Sequence, residues 1–115
     1  MSSVVLINPN LIVQRNDPLT TGIVYMPLSL AYAAGALRAA GHAVTVIDAF
    51  AQQPKRARLS GKFMTLGISV DEVLAQIPDD ATAVLLYPIH LTNHHAATAI
   101  LRPTKAARPA LPVIV

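Results

Sequence analysis

The chain has 115 residues, of which 53% are hydrophobic and 13% charged, with no cysteine and a formal net charge of +3. At this length one domain, residues 1–115, buries an ordinary core without disulfides or a structural metal, and so apolar a composition excludes disorder. The longest apolar runs, such as Ala83-Val84-Leu85-Leu86-Tyr87, fall far short of the roughly 18 residues of a membrane span. The absence of cysteine excludes a thiol nucleophile, a Cys-ligated zinc and a protein-held iron–sulfur cluster within these residues.

The start, Met1-Ser2-Ser3-Val4-Val5-Leu6, lacks the basic residues and longer apolar stretch of a signal peptide, so a cytoplasmic protein is expected. Basic residues are scattered except for a cluster at 55–62. No stacking aromatics accompany that cluster, and nucleic-acid binding is not expected.

The first expected strand is the apolar run 4–7. Similar runs at 44–47, 84–87 and 113–115 read as three more strands, each nearly all apolar, as expected for strands covered by helices on both faces. Between the first strand and the first helix, residues 8–26 form a loop far longer than the usual connection, a length that points to function. The first helix is expected from about 28 to 40, with Leu30, Ala33, Ala34 and Leu37 at helical spacing, Pro27 at its start and Gly41 after its end. Residues 52–66 read as a solvated basic connection. Ser69-Val70-Asp71-Glu72 is a capping box that opens a second helix ending before Pro78. A third helix begins near Thr92 or Asn93, and Pro103 either ends or kinks it.

Strands alternating with helices imply a parallel sheet built of βαβ units. With right-handed crossovers the expected strand order is 2-1-3-4, a flavodoxin-like or Rossmann-like three-layer α/β sandwich. Such sheets bind ligands beyond the carboxyl ends of their strands, at the switch point between the first and third. Asn8, Pro9 and Asn10 follow the first strand there, Pro27, Leu28 and Ser29 open the first helix, and Tyr87, Pro88, Ile89, His90, Thr92 and Asn93 follow the third strand. Neither G-x-G-x-x-G nor G-x-x-x-x-G-K-S/T occurs, which removes the usual dinucleotide and triphosphate cradles. A phosphoacceptor site is disfavoured too, since Asn8 and Tyr87-Pro88 stand where acidic residues are needed.

His42 reads as a turn residue. His90 either contacts a ligand or packs its loop, and a zinc site with His94 and His95 lacks a nearby carboxylate. Asp48 reads as a cap or a solvent-facing residue rather than a ligand contact, and Tyr25, Met26, Leu28 and Tyr32 read as core. Catalysis with His90 as a general base has no placeable Ser, Cys or acid partner.

Val5-Leu6-Ile7-Asn8-Pro9, then Pro27-Leu28-Ser29-Leu30-Ala31-Tyr32-Ala33-Ala34-Gly35, then Gly41-His42 followed by Val44, Val46-Ile47-Asp48, resemble the N-terminal cobalamin-binding domain of cobalamin-dependent radical S-adenosylmethionine enzymes. The resemblance implies corrinoid binding on behalf of a methyltransferase or cyclase, with the twelve switch-point residues as the cofactor contacts. Where other cobalamin domains carry D-x-H-x-x-G, with a histidine on cobalt, this chain has Asn8-Pro9-Asn10. Cobalamin bound without a histidine ligand is therefore implied. Family members continue beyond the fourth strand to a barrel carrying C-x-x-x-C-x-x-C, so the domain is expected to be incomplete at Val115. The 4Fe-4S cluster and S-adenosylmethionine would then belong to the rest of a parent enzyme, and the chain alone is not expected to be catalytic. The open edge at 113–115 invites dimerisation. The alternative is a protein-interaction module of the same fold without corrin.

Overall fold

The computed structural model describes residues 2–14, 27–88 and 93–115. The elements run β1 (Ser3–Asn8), β2 (Leu11–Gln14), α1 (Leu28–Ala39), β3 (Ala43–Asp48), β4 (Ala57–Ser60), β5 (Phe63–Leu66), α2 (Val70–Gln76), β6 (Ala83–Leu86), α3 (Asn93–Ala107) and β7 (Val113–Ile114). Four strands form a parallel sheet in the order β3-β1-β6-β7. They contain the four apolar runs, arranged second, first, third, fourth. No described helix is long and apolar enough to cross a membrane.

Alternation along β1 divides the core into two layers. Val5 and Ile7 join Ile47, Val84 and Leu86 against Val73 and Ile77 of the α2 segment and Ile100 of α3. Val4 and Leu6 point the other way, onto Leu30 and Ala34 of α1, with Ala33 and Leu37 beside them. Helix α1 therefore buries the face its spacing predicts. It ends in a Schellman motif, in which His42 N–H donates to the Leu37 carbonyl and Gly41 N–H to that of Arg38, and Gly41 takes the left-handed φ of 92° that this ending favours. Leu28 and Tyr32 depart from the expectation of core: they are 61% and 78% exposed. At about 100° per residue they fall on the side of the helix away from Leu30 and Ala34.

The connection at 52–66 is corrected by the structure. It contains the hairpin β4–β5, turned at Gly61-Lys62, and β2 from within the long loop pairs with β5 to make a second, antiparallel sheet ordered β2-β5-β4. Each of these strands has four residues, and β4 is exposed along its length.

The small sheet is tied to the large one by a chain of hydrogen bonds. Ala49 N–H donates to the Asn8 carbonyl at 2.9 Å, Ile68 N–H to the Ala49 carbonyl at 2.8 Å, and Asn10 Nδ2 to the Ile68 carbonyl at 2.8 Å. The close approach is possible because residue 67 is glycine. Its φ is +125°, and a Cβ there would fall onto the Ala49 carbonyl oxygen and stand 2.6 Å from Asn10 Nδ2.

Helix α2 forms its capping box. Glu72 N–H donates to Ser69 Oγ, Ser69 N–H donates back to the Glu72 carboxylate, and Arg56 pairs with that carboxylate through both guanidinium nitrogens. The Arg56 hydrogen bonds first, then those from Ser69, lower the Glu72 pKa from 4.5 to about 2. Helix α3 continues through Pro103, which leaves the Ala99 carbonyl without its usual N–H donor. Thr104, buried one turn after Ile100, donates its hydroxyl to the Ile100 carbonyl at 2.7 Å.

Gly67→Ala should lower stability by more than about 2 kcal/mol in urea unfolding, because it adds both a strained φ and a clash with backbone. Gly35→Ala, in helix α1 with open space around its Cβ position, should instead raise stability by up to about 1 kcal/mol. Equal effects of the two substitutions would contradict the tight junction. Because the folded pKa of Glu72 is depressed, its contribution is complete above pH 4.5 and lost as pH falls towards about 2. Thermal melts across that window should therefore fall less steeply in Glu72→Gln than in the parent protein.

Candidate functional site

The carboxyl ends of β3, β1 and β6 bring three side chains into one row. Register places Asn8 opposite Asp48, and Tyr87 follows the Ile7–Leu86 pair with its N–H donating to the Ile7 carbonyl. Alternation sends Asn8, Asp48 and Tyr87 to the face that carries α1. Helix α1 starts at this end of the sheet, with Pro27 as its N-cap residue and, among the described residues, no side chain capping its first amides.

Asn8 is 2% exposed. Its Nδ2 donates to Asp48 Oδ1 at 2.9 Å, which also accepts the Ala51 N–H at 3.0 Å. Asp48 thus braces Asn8 and caps the turn after β3. Since a carboxylate accepts only, this pairing fixes the amide orientation and turns Oδ1 away from Asp48. Among the described residues Asn8 Oδ1 is buried with no hydrogen-bond partner. Such an acceptor costs about 1–3 kcal/mol, a penalty relieved by any N–H or O–H group brought to it.

Of the residues expected at the switch point, the structure assembles Asn8 and Tyr87 in the row; Pro9 is buried and Pro88 half-buried. Pro27, Leu28 and Ser29 begin α1 on the same face, and both Leu28 and Ser29 are exposed. Tyr87 is 39% exposed. Asn10 is separated from this group: its side chain bonds to Ile68 and lines a groove on the α3 side. Asn93 opens α3. Ile89, His90 and Thr92 lie outside the described residues, as do Tyr25 and Met26. His94 and His95 are exposed in the first turn of α3, with their rings edge to face at 6.5 Å. Among the described residues no three His, Asp or Glu side chains converge as a metal site.

Sequence reasoning missed the groove, a cavity of about 590 Å³ between the small sheet and α3 that includes Arg58, Ser60, Phe63 and Thr65. The available signal was the Ser60-Gly61 turn dipeptide set between Arg58-Leu59 and Phe63-Met64.

The row at the strand ends presents an acceptor unpaired among the described residues, a braced carboxylate and the exposed edge of Tyr87, which suits recognition of a ligand with an apolar body and amide or hydroxyl groups. No family model, curated protein or solved structure matches this chain.

Proposed function

We propose that this chain is a flavodoxin-like corrinoid-binding domain whose cofactor contacts lie at the carboxyl ends of β1 and β6. The observation that carries the reading is the buried Oδ1 of Asn8, unpartnered among the described residues, at the switch point of a parallel sheet. A corrin ring is a broad apolar face bordered by amide side chains. Those amides supply an N–H donor for Asn8 Oδ1, and Tyr87 offers apolar surface to the ring. The residues thus fit the group, and the sequence resemblance selects it from other amide-bearing ligands.

In this reading Asn8 anchors the corrin periphery and Asp48 holds the Asn8 amide in register. Tyr87 excludes water from the ring, and Pro27 shapes the start of α1. The bound corrinoid supplies a cobalt centre able to carry a methyl group. With no cysteine in the chain, an iron–sulfur cluster and the S-adenosylmethionine it serves would be held by another part of a parent enzyme.

A second reading, a protein-interaction module without corrin, is favoured by the outer face of α1. Leu28 and Tyr32 stand exposed there beside Ala31, Gly35 and Ala36.

Titration with hydroxocobalamin followed by desalting separates the two. Retained visible absorbance that falls at least about tenfold in Tyr87→Glu, with Tyr32→Glu unaffected, is the expected result. A folded protein that retains no corrinoid at high micromolar cobalamin contradicts the proposal, and self-association abolished by Tyr32→Glu would then favour the interaction module.

A further inference from the structure

The groove on the α3 side arises from two simple features of the sequence. Antiparallel pairing sets Ile12, Thr65 and Arg58 in one cross-strand row, and alternation puts Phe63 and Ser60 of the next row on the same face. Opposite them, α3 presents Ala96 and Ala99, which are too short to fill the space between helix and sheet. The result is an open volume of about 590 Å³, within the range of about 300–1,000 Å³ typical of small-molecule sites.

The lining has two characters. Ile12, Phe63, Val70, Ala96 and Ala99 form an apolar wall, and Phe63 is 48% exposed although it is a large aromatic side chain. Arg58 brings a permanent positive charge and a fork of N–H donors. The His95 imidazole, which keeps an N–H donor in either protonation state, and the hydroxyls of Ser60 and Thr65 add further donors. No carboxylate occurs among the described lining residues, and the first turn of α3 contains no acidic residue.

We propose that this groove binds a small amphipathic anion, an alkyl or aryl body carrying one carboxylate, with the body against Phe63 and the alanines and the carboxylate on Arg58. Charge complementarity selects the anion, and the apolar wall selects the body. The site is separate from the corrinoid reading and does not depend on it: Asn8 and Tyr87 face α1, whereas the groove lies on the side of α3.

Calorimetric titration with decanoate and with decan-1-ol, both below their aggregation limits, tests this on the full chain. Decanoate should bind saturably at one site, at least about tenfold more tightly than the alcohol of equal length, since hydrogen bonds to a charged group are about twice as strong as neutral ones. Arg58→Gln should remove that preference. Ala99→Phe should abolish uptake of both compounds by filling the groove. Residues 58 and 99 are both exposed, and unchanged far-ultraviolet circular dichroism verifies the fold of each variant. The proposal is overturned by equal affinity for acid and alcohol, by an Arg58→Gln variant that keeps the preference, or by no saturable binding of either compound.

Discussion

The hydrogen-bond chain that runs from the end of β1 through Ala49 and Ile68 to Asn10 holds the two sheets together. Asn8 contributes its carbonyl to Ala49 and its amide to Asp48, and Ala49 passes the connection to Ile68. Asn10 closes the circuit on the Ile68 carbonyl. Both asparagines are almost fully buried, where leaving such polar groups unpaired is costly. Each bond contributes only about 1 kcal/mol net. The junction matters because it fixes where the small sheet sits on one side and where the Asn8 acceptor sits on the other.

That junction also explains why the chain carries two distinct surfaces at one end. On the α1 face the row Asp48, Asn8 and Tyr87 lies across three parallel strands. On the opposite side Asn10 and the small sheet stand off from α3 far enough to leave an open groove, because Ala96 and Ala99 do not close it. Elsewhere the structure is held by ordinary means. Lys105 bonds the carbonyls of Pro109 and Leu111 after α3, Arg108 reaches those of Pro78 and Asp79, and Arg56 anchors the base of the hairpin to the first turn of α2 through Glu72.

The large sheet was legible in the sequence because its central strands β1 and β6, largely buried, read as apolar runs, and parallel pairing then limits their order to very few choices; the outer strands β3 and β7 leave Val46 and Ile114 exposed. Helix α1 was legible in Leu30, Ala33, Ala34 and Leu37, and α2 in its capping box. The small sheet was not. Strand β4 is exposed throughout and so shows no apolar run, and β2 pairs with a strand about fifty residues away, a partnership that no local pattern encodes. Asn8 was recognisable as a residue of the switch point. That its Nδ2 would be taken by Asp48, leaving only Oδ1 unpaired, depends on the register between β1 and β3. Leu28 and Tyr32 were misjudged as core by residue type, although their spacing from Leu30 and Ala34 already places them outside.

Native-state hydrogen exchange at the amides of Ala49 and Ile68 tests the account most directly, since the junction is the common support of both surfaces. If the chain of bonds unites the two sheets, these amides open only with global unfolding, and their protection equals that of the β1 amides of Val5 and Leu6. Fast exchange at Ile68 through a local opening, with β1 still protected, would show that the small sheet is an independent flap and would contradict the account.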